Sequence, residues 1–373
     1  LGTAYTPGLT VSSDSIVRKL RRLPLKGEVL VKVGDRVGPE TTVARTQLPG
    51  LLQTVRVAER LGIDPKETAK YLRFKVGDAI AIGDLLAESK GLFGMFKNSV
   101  TSEYEGTFES LSELTGNMLI REAPIPVEIK AYLRGIVVDV FGDEGAVIEA
   151  RGALIQGIFG VGGERQGKIR VAVGSPDETL DAGQVRSDDQ GAILIGGSGI
   201  TLDAIRAAER AGVTGLVAGA VRDDVITGFL GYDIGVAITG QEQVPLSIIA
   251  TEGFGRLSMA RRTFDLLKSL EGRMASMNGA TQIRAGVIRP ELIVPSDSAQ
   301  AAQPTSSFSG TLEIGTPIRV IREPYFGRLG VVTGLPPELR TVESGAEVRV
   351  LEAKLEDGSA VTVPRANVEI IAG

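Results

Sequence analysis

Cysteine, histidine and tryptophan are all absent from this 373-residue chain. Without cysteine there can be no disulfide, thiolate metal site, iron–sulfur ligation or cysteine nucleophile. Without histidine the commonest general base is missing, along with the Ser-His-Asp arrangement and most zinc and haem chemistry. A metal would have to be a hard cation held by carboxylates, yet the sequence has no Asp-x-Asp-x-Asp-Gly loop or tight Asp cluster. Aromatic residues are 5% of the chain, so cores must be built from Val, Ile, Leu and Ala, and stacking on bases is disfavoured. No apolar run approaches the roughly 18–20 residues that span a bilayer. The opening LGTAYTPGLTVSSDS lacks a basic stretch followed by an apolar one, so a cytoplasmic location is the expectation. No cofactor is expected.

What is present suits two to four domains. Net charge is −5, which argues against a chain-wide nucleic-acid surface. Basic residues do cluster in IVRKLRRLPLKG (16–27), at Arg18, Lys19, Arg21, Arg22 and Lys26. An isolated charge run of this kind usually faces water.

From Leu23 to about Val173 short β-rich runs alternate with Gly-Asp turns. LKGEVLVKVGDRVGPETTVART (25–46) turns at Gly34-Asp35, and LRFKVGDAIAIGDLLAES (72–89) repeats it at Gly77-Asp78. Gly tolerates positive φ and Asp bonds nearby amides, so each K-V-G-D predicts a tight hairpin. VRVAERLGIDPKETAKYL (55–72) predicts short helices split at Asp64-Pro65. YEGTFESLSELTGNMLIR (104–121) and KAYLRGIVVDVFGDEGAVIEAR (130–151) predict two more β units. This pattern resembles the biotinyl/lipoyl-like barrel-sandwich hybrid family, in the form that opens the iron–sulfur-bearing RnfC-type component of Rnf electron-transport complexes. The resemblance rests on VKVGDRVGPETTVA, FKVGDAIAIGDLLA and EGTFESLSELTGN. The family's swinging arms carry Lys within a D-K-A or M-K-M tripeptide, which is missing here; Lys97 in FKNSV is the nearest imitation. The cluster-binding cysteines of that Rnf component have no counterpart either.

The glycine-rich IQGIFGVGGERQGKI (155–169) lacks the Gly-Lys-Ser/Thr of a phosphate loop. A turn or bulge is the plainer reading, with a ligand-facing loop as the alternative.

Beyond Gly191 the period changes to strand–helix alternation, with Thr201 as N-cap and Gly212 as the end of one helix. A second helix covers DDVITGFLG and a third RLSMARRTFDLLKSLEG (256–272). Nearly all-apolar strands between helices predict a parallel, two-sided sheet, whose ligands bind beyond the strand carboxyl ends. Four strand-end turns (196–201, 239–242, 251–255 and 279–284) offer Ser198, Thr201, Thr239, Gln241, Thr251, Gln282 and Arg284, and Arg256 follows the third. If they converge, backbone amides and an Arg would hold a phosphate or carboxylate. Glu242 and Glu252 are the candidate acid/base carboxylates. The bland alternative is that every βα turn needs small residues and caps whatever it binds.

SDSAQAAQPTSSFSG (296–310) reads as a tether. The β-rich run after it opens GTPIRVIREPYFGRLGVV and resembles the KOW motif of transcription elongation factors and certain ribosomal proteins, which implies an SH3-like barrel. Residues 313–373 carry seven basic against nine acidic side chains, so the electrostatic footprint of nucleic-acid binding is missing. Arg322, Tyr325, Phe326 and Arg328 form the expected protein-contact patch.

The expected fold class is multi-domain α/β plus all-β. It comprises an N-terminal extension (1–22), a barrel-sandwich hybrid region (23–175), a central parallel-sheet α/β domain (176–295), a linker (296–312) and a KOW/SH3-like barrel (313–373). The expected function is a non-enzymatic scaffold or adaptor that associates with itself or another protein, with a small anionic ligand sensed in the α/β domain. An enzyme acting on a phosphorylated or carboxylated metabolite and a nucleic-acid-associated KOW protein are the alternatives.

Overall fold

The computed structural model describes residues 9–89, 98–232, 242–281, 288–296 and 312–370, except 321, 323, 326, 327 and 342–346. It is a multi-domain protein of mixed β-sheets with a minority of helix.

The first strands are β1 (Val11–Arg22), β2 (Glu28–Val29), β3 (Arg36–Val37) and β4 (Thr42–Leu48). After them the chain makes a second, complete β module before returning to the first. That module comprises β5 (Leu52–Arg56), α1 (Val57–Leu61), a 3-10 turn at Pro65–Lys70, β6 (Ala79–Ile80), β7 (Leu85–Ser89), β8 (Asn98–Thr101), β9 (Gly106–Leu111) and β10 (Asn117–Arg121). The first module then resumes with β11 (Ile125–Lys130), β12 (Gly135–Phe141) and β13 (Gly145–Gln156).

The two modules repeat one set of pairings. β4 pairs β11 as β7 pairs β8, β3 pairs β12 as β6 pairs β9, and β12 pairs β13 as β9 pairs β10. Even the Val29↔Ala44 register recurs, as an isolated Leu72↔Ala87 bridge. Each module has its own apolar core, one around Val37, Val137 and Ile148 and the other around Ile80, Phe108 and Ile120. The second module is therefore an insertion of the same fold into the β4–β11 connection of the first.

The Gly-Asp turns are tight but do not form hairpins. Gly34 and Gly77 have φ of 93° and 96°, which favours glycine. The Asp35 and Asp78 carboxylates accept from the Lys32 and Lys75 amides at 2.9 and 2.7 Å. The turn backbones then bond sideways: Gly34 N–H donates to Val137 O, and Gly77 N–H to Phe108 O, both at 2.8 Å. Those bonds hand β3 and β6 to distant partners, so the expected hairpin pairing does not form.

The central region contains β14 (Phe159–Val161), β15 (Glu164–Val171), β16 (Thr179–Leu180), β17 (Ala192–Ile195), β18 (Gly199–Ile200) and α2 (Leu202–Ala211). It continues with β19 (Gly215–Val221), α3 (Asp223–Leu230), β20 (Ser247–Phe254), α4 (Arg261–Ser269), β21 (Met274–Asn278) and β22 (Glu291–Pro295). An all-parallel sheet was expected, but the sheet is mixed. β15, β17, β19 and β20 are mutually parallel, while β14 and β21 join antiparallel at either side. Beyond β21 the order runs β22-β13-β12-β3, with β1 also on β13, giving eleven strands. The sheet is mixed because β21 and β22 follow α4 as an antiparallel pair, whose edge accepts the long β13. Residues 11–22, expected as an extension, thus form a strand paired along β13, and residues 164–171 sit mid-sheet. Within the glycine-rich stretch, Gly162-Gly163 makes the turn between β14 and β15. A Cβ on Gly162 would lie 2.7 Å from Ser247 Oγ, so packing against β20 accounts for that glycine.

A separate C-terminal sheet has β23 (Pro317–Val320), β24 (Leu329–Gly334), β25 (Leu339–Thr341), β26 (Glu347–Leu355), β27 (Ala360–Pro364) and β28 (Val368–Ile370). Its order is β25-β26-β24-β23-β28, with β27 also on β26, around a core that includes Ile318, Val332 and Leu351.

Candidate functional site

The parallel strands direct their carboxyl ends toward residues 196–201 and toward the segment after β20. Residues 251–254, expected as a turn, belong to β20 itself, and it is the segment after them that meets 196–201. Gly219 N–H donates to Gly197 O at 2.7 Å, and Leu257 N–H to Ser198 O at 3.2 Å. What fills the crevice between them is the chain itself. A Cβ on Gly219 would meet Leu257 O at 2.3 Å, and one on Gly197 would meet Glu178 O at 2.4 Å. Met259 N–H also reaches Pro176 O at 3.2 Å. These bonds hold residues 257–260 extended across the strand ends, so the third helix starts at Arg261 and not at the expected Arg256.

The polar residues there are engaged in structure. Ser198 is buried, with its hydroxyl 3.1 Å from that of Thr179. Thr201 caps α2 by accepting from Ala204 N–H, and its hydroxyl donates to Asp181 Oδ1 at 2.8 Å. The Ala182 amide and then that hydroxyl hold the Asp181 carboxyl below its ordinary value. Thr251 is buried with its hydroxyl 3.4 Å from Ala218 O, while Arg256 is exposed.

Glu252 is the buried carboxylate of this end of the sheet. One oxygen accepts from Ala260 N–H at 3.0 Å and lies 3.3 Å from the Thr251 hydroxyl. The other is 3.4 Å from Arg319 Nη1, on β23 of the C-terminal sheet, and both side chains are less than 10% exposed (2% and 7%). A buried charge without a partner is costly, so the pair ties the two domains together. Arg319 was missed in the sequence. It alternates with Ile318 and Val320, which enter the terminal core, and a lone Arg in a strand ordinarily reads as solvated.

Glu242 lies at the other end of the sheet. It precedes the amino end of β20, beside Val244, whose carbonyl accepts from Arg165 Nη2 at 2.8 Å. The two candidate carboxylates therefore lie toward opposite ends of β20. Thr239, Gln241, Gln282, Arg284 and Phe326 lie outside the described residues. Of the expected contact patch, Arg322 is exposed, Arg328 is paired with Asp357, and Tyr325 packs half-buried against the terminal core.

The basic segment is neutralised along β1. Arg18 pairs with Glu149 (2.7 Å), Lys19 with Glu291 (2.6 Å), Arg21 with Glu164 (2.6 Å) and Arg22 with Glu144. An open concavity of about 1060 Å³ lies on the inserted module between the turn at Val76–Ile82 and the strands around Gly106 and Arg121. Among the described residues no cluster of acidic side chains could hold a metal ion, and no helix is long and apolar enough to cross a membrane. The chain matches no protein-family model and no curated protein.

Proposed function

We propose that this protein is a non-enzymatic scaffold or adaptor that assembles with itself or with other proteins. The observation that carries the reading is the Glu252–Arg319 pair. Among the described residues, the buried carboxylate at the carboxyl end of β20 is committed to a neighbouring domain, and the backbone of residues 257–260 crosses the strand ends where a ligand would sit in this architecture. The terminal domain is read as an SH3-like barrel of the KOW type; its six short strands around one small core support this. The two β modules are read as barrel-sandwich hybrids, supported by their repeated pairings. Neutralisation of the basic segment weighs against a nucleic-acid role, and we place the protein in the cytoplasm.

The test pairs light scattering over a wide concentration range with thermal stabilisation by a panel of phosphorylated and carboxylated metabolites. The adaptor reading predicts a mass that rises with concentration and no metabolite that stabilises the protein. Stabilisation by one metabolite, lost in Glu252→Gln while Arg319→Ala retains it, would overturn the reading in favour of a ligand-binding enzyme.

A further inference from the structure

The nested repeat shows what covers one face of this β fold in the first module and leaves it open in the second. Ala131 N–H donates to Thr41 O as Ser102 N–H donates to Asp84 O, which makes Tyr132 and Glu103 corresponding residues. Tyr132 is 2% exposed. Its carbonyl accepts from Ser276 Oγ at 2.7 Å, its hydroxyl lies 3.5 Å from Glu291, and the Arg21 guanidinium sits 5.6 Å from its ring centre. Strands β21, β22 and β1 therefore cover that face in the first module. Glu103 instead lines the 1060 Å³ groove, which is open to solvent.

The groove combines an apolar floor with an acidic rim. Val76 and Ile82 are 65% and 69% exposed, beside Ile80 and Phe108. Among the described residues four carboxylates line it, Glu103, Glu105, Glu109 and Glu122, against one lining cation, Arg121, which is bound to Glu109. Glu103 is paired with Arg60. One wall carries β6, an edge strand of the four-stranded sheet β5-β10-β9-β6. Edge strands present backbone donors and acceptors to an incoming extended chain.

We infer that this groove docks an extended segment of a partner protein in which basic and apolar side chains alternate. Apolar side chains fill the floor, and lysine or arginine faces the carboxylates, a complementarity that sets specificity and register. The inference rests on the adaptor reading and names the chemistry of its partner.

The probe is a short fluorescent peptide alternating lysine with valine, with a glutamate–valine peptide as its counterpart, titrated into the full chain by anisotropy at low and moderate salt. The lysine peptide is expected to bind saturably, and the glutamate peptide is not. Glu105→Lys/Glu122→Lys and, separately, Ile82→Asp should each weaken binding at least about tenfold. Glu347→Lys/Glu356→Lys, on the terminal domain, should leave it within about twofold once salt screens the long-range field. Absent saturable binding, or equal weakening by both charge-reversed pairs, would overturn the groove. Circular dichroism of each variant separates loss of the site from loss of the fold. Concentration-dependent mass with no peptide binding would sink this inference and leave the adaptor reading standing, whereas a stabilising metabolite sensitive to Glu252→Gln would sink the adaptor reading itself.

Discussion

The two nested β modules differ less in fold than in what lies against them. Both close the same Gly-Asp turn, and both pack a hairpin over it with a bulge after the inward-facing residue, Phe108 or Val137. The divergence lies in strand length. β10 stops at Arg121, while β13 runs on to Gln156; β1 pairs along the whole of β13 much as β5 pairs along β10, and the extension alone receives β22. Lengthening one strand merges the first module with the central sheet, and stopping the other leaves the second module projecting with an open face. One fold thus serves as a structural weld in one copy and as a free surface in the other.

The largest effect expected to sharpen this contrast is at Tyr132 and Glu103. Tyr132→Ala removes a buried aromatic and should cost about 3–5 kcal/mol in chemical denaturation, while Glu103→Ala, at the exposed matching position, should fall within about 0.5 kcal/mol. Comparable costs would mean that the two faces are equally covered. Next come the glycines the modules share. A Cβ on Gly106 or on Gly135 would meet a cross-strand carbonyl at 2.2 Å, so each Gly→Ala change should cost about 1–3 kcal/mol and by similar amounts. A large difference would break the structural equivalence.

Tyr132 also gives the first module a pH signature. Burial first, then the nearby Glu291 and Glu164, hold its phenol well above the ordinary value. A native pKa above the unfolded one means the contribution is full below about pH 10 and is lost as pH rises beyond it. The Tyr132→Phe variant should lose less stability than the parent between neutral and strongly alkaline pH, and equal losses would remove the phenol as the cause. The smallest effect is at the ladder on β1. Arg18 is 68% exposed where it pairs with Glu149, so Arg18→Ala should change stability by less than about 1 kcal/mol, whereas a loss several times larger would show that the ladder itself holds β1.

Local features were legible in the sequence and long-range ones were not. Thr201 and Gly212 bound α2 as their capping chemistry dictates, and Asp64 caps the short turn that begins at Pro65. The doubled K-V-G-D pattern announced a repeat. Its nesting was hidden, because β4 finds its partner only after the whole inserted module, and no local periodicity encodes such a pairing. The late start of α4 was hidden for the same reason, since the amides of Leu257 and Met259 bond to loops far away in sequence. Glu252 stood out as a carboxylate at a strand end. Its partner did not, because an arginine between β-branched residues looks solvated until a second domain closes over it.

The Glu252–Arg319 pair is the hinge of the functional reading, and small-angle scattering on its charge-swap series tests it most directly. Glu252→Arg and Arg319→Glu, made singly, should each raise the radius of gyration as the terminal domain leaves the strand ends. The double swap should return it toward the parent value. Single variants with unchanged dimensions, or a double swap that remains as expanded as either single change, would contradict the account.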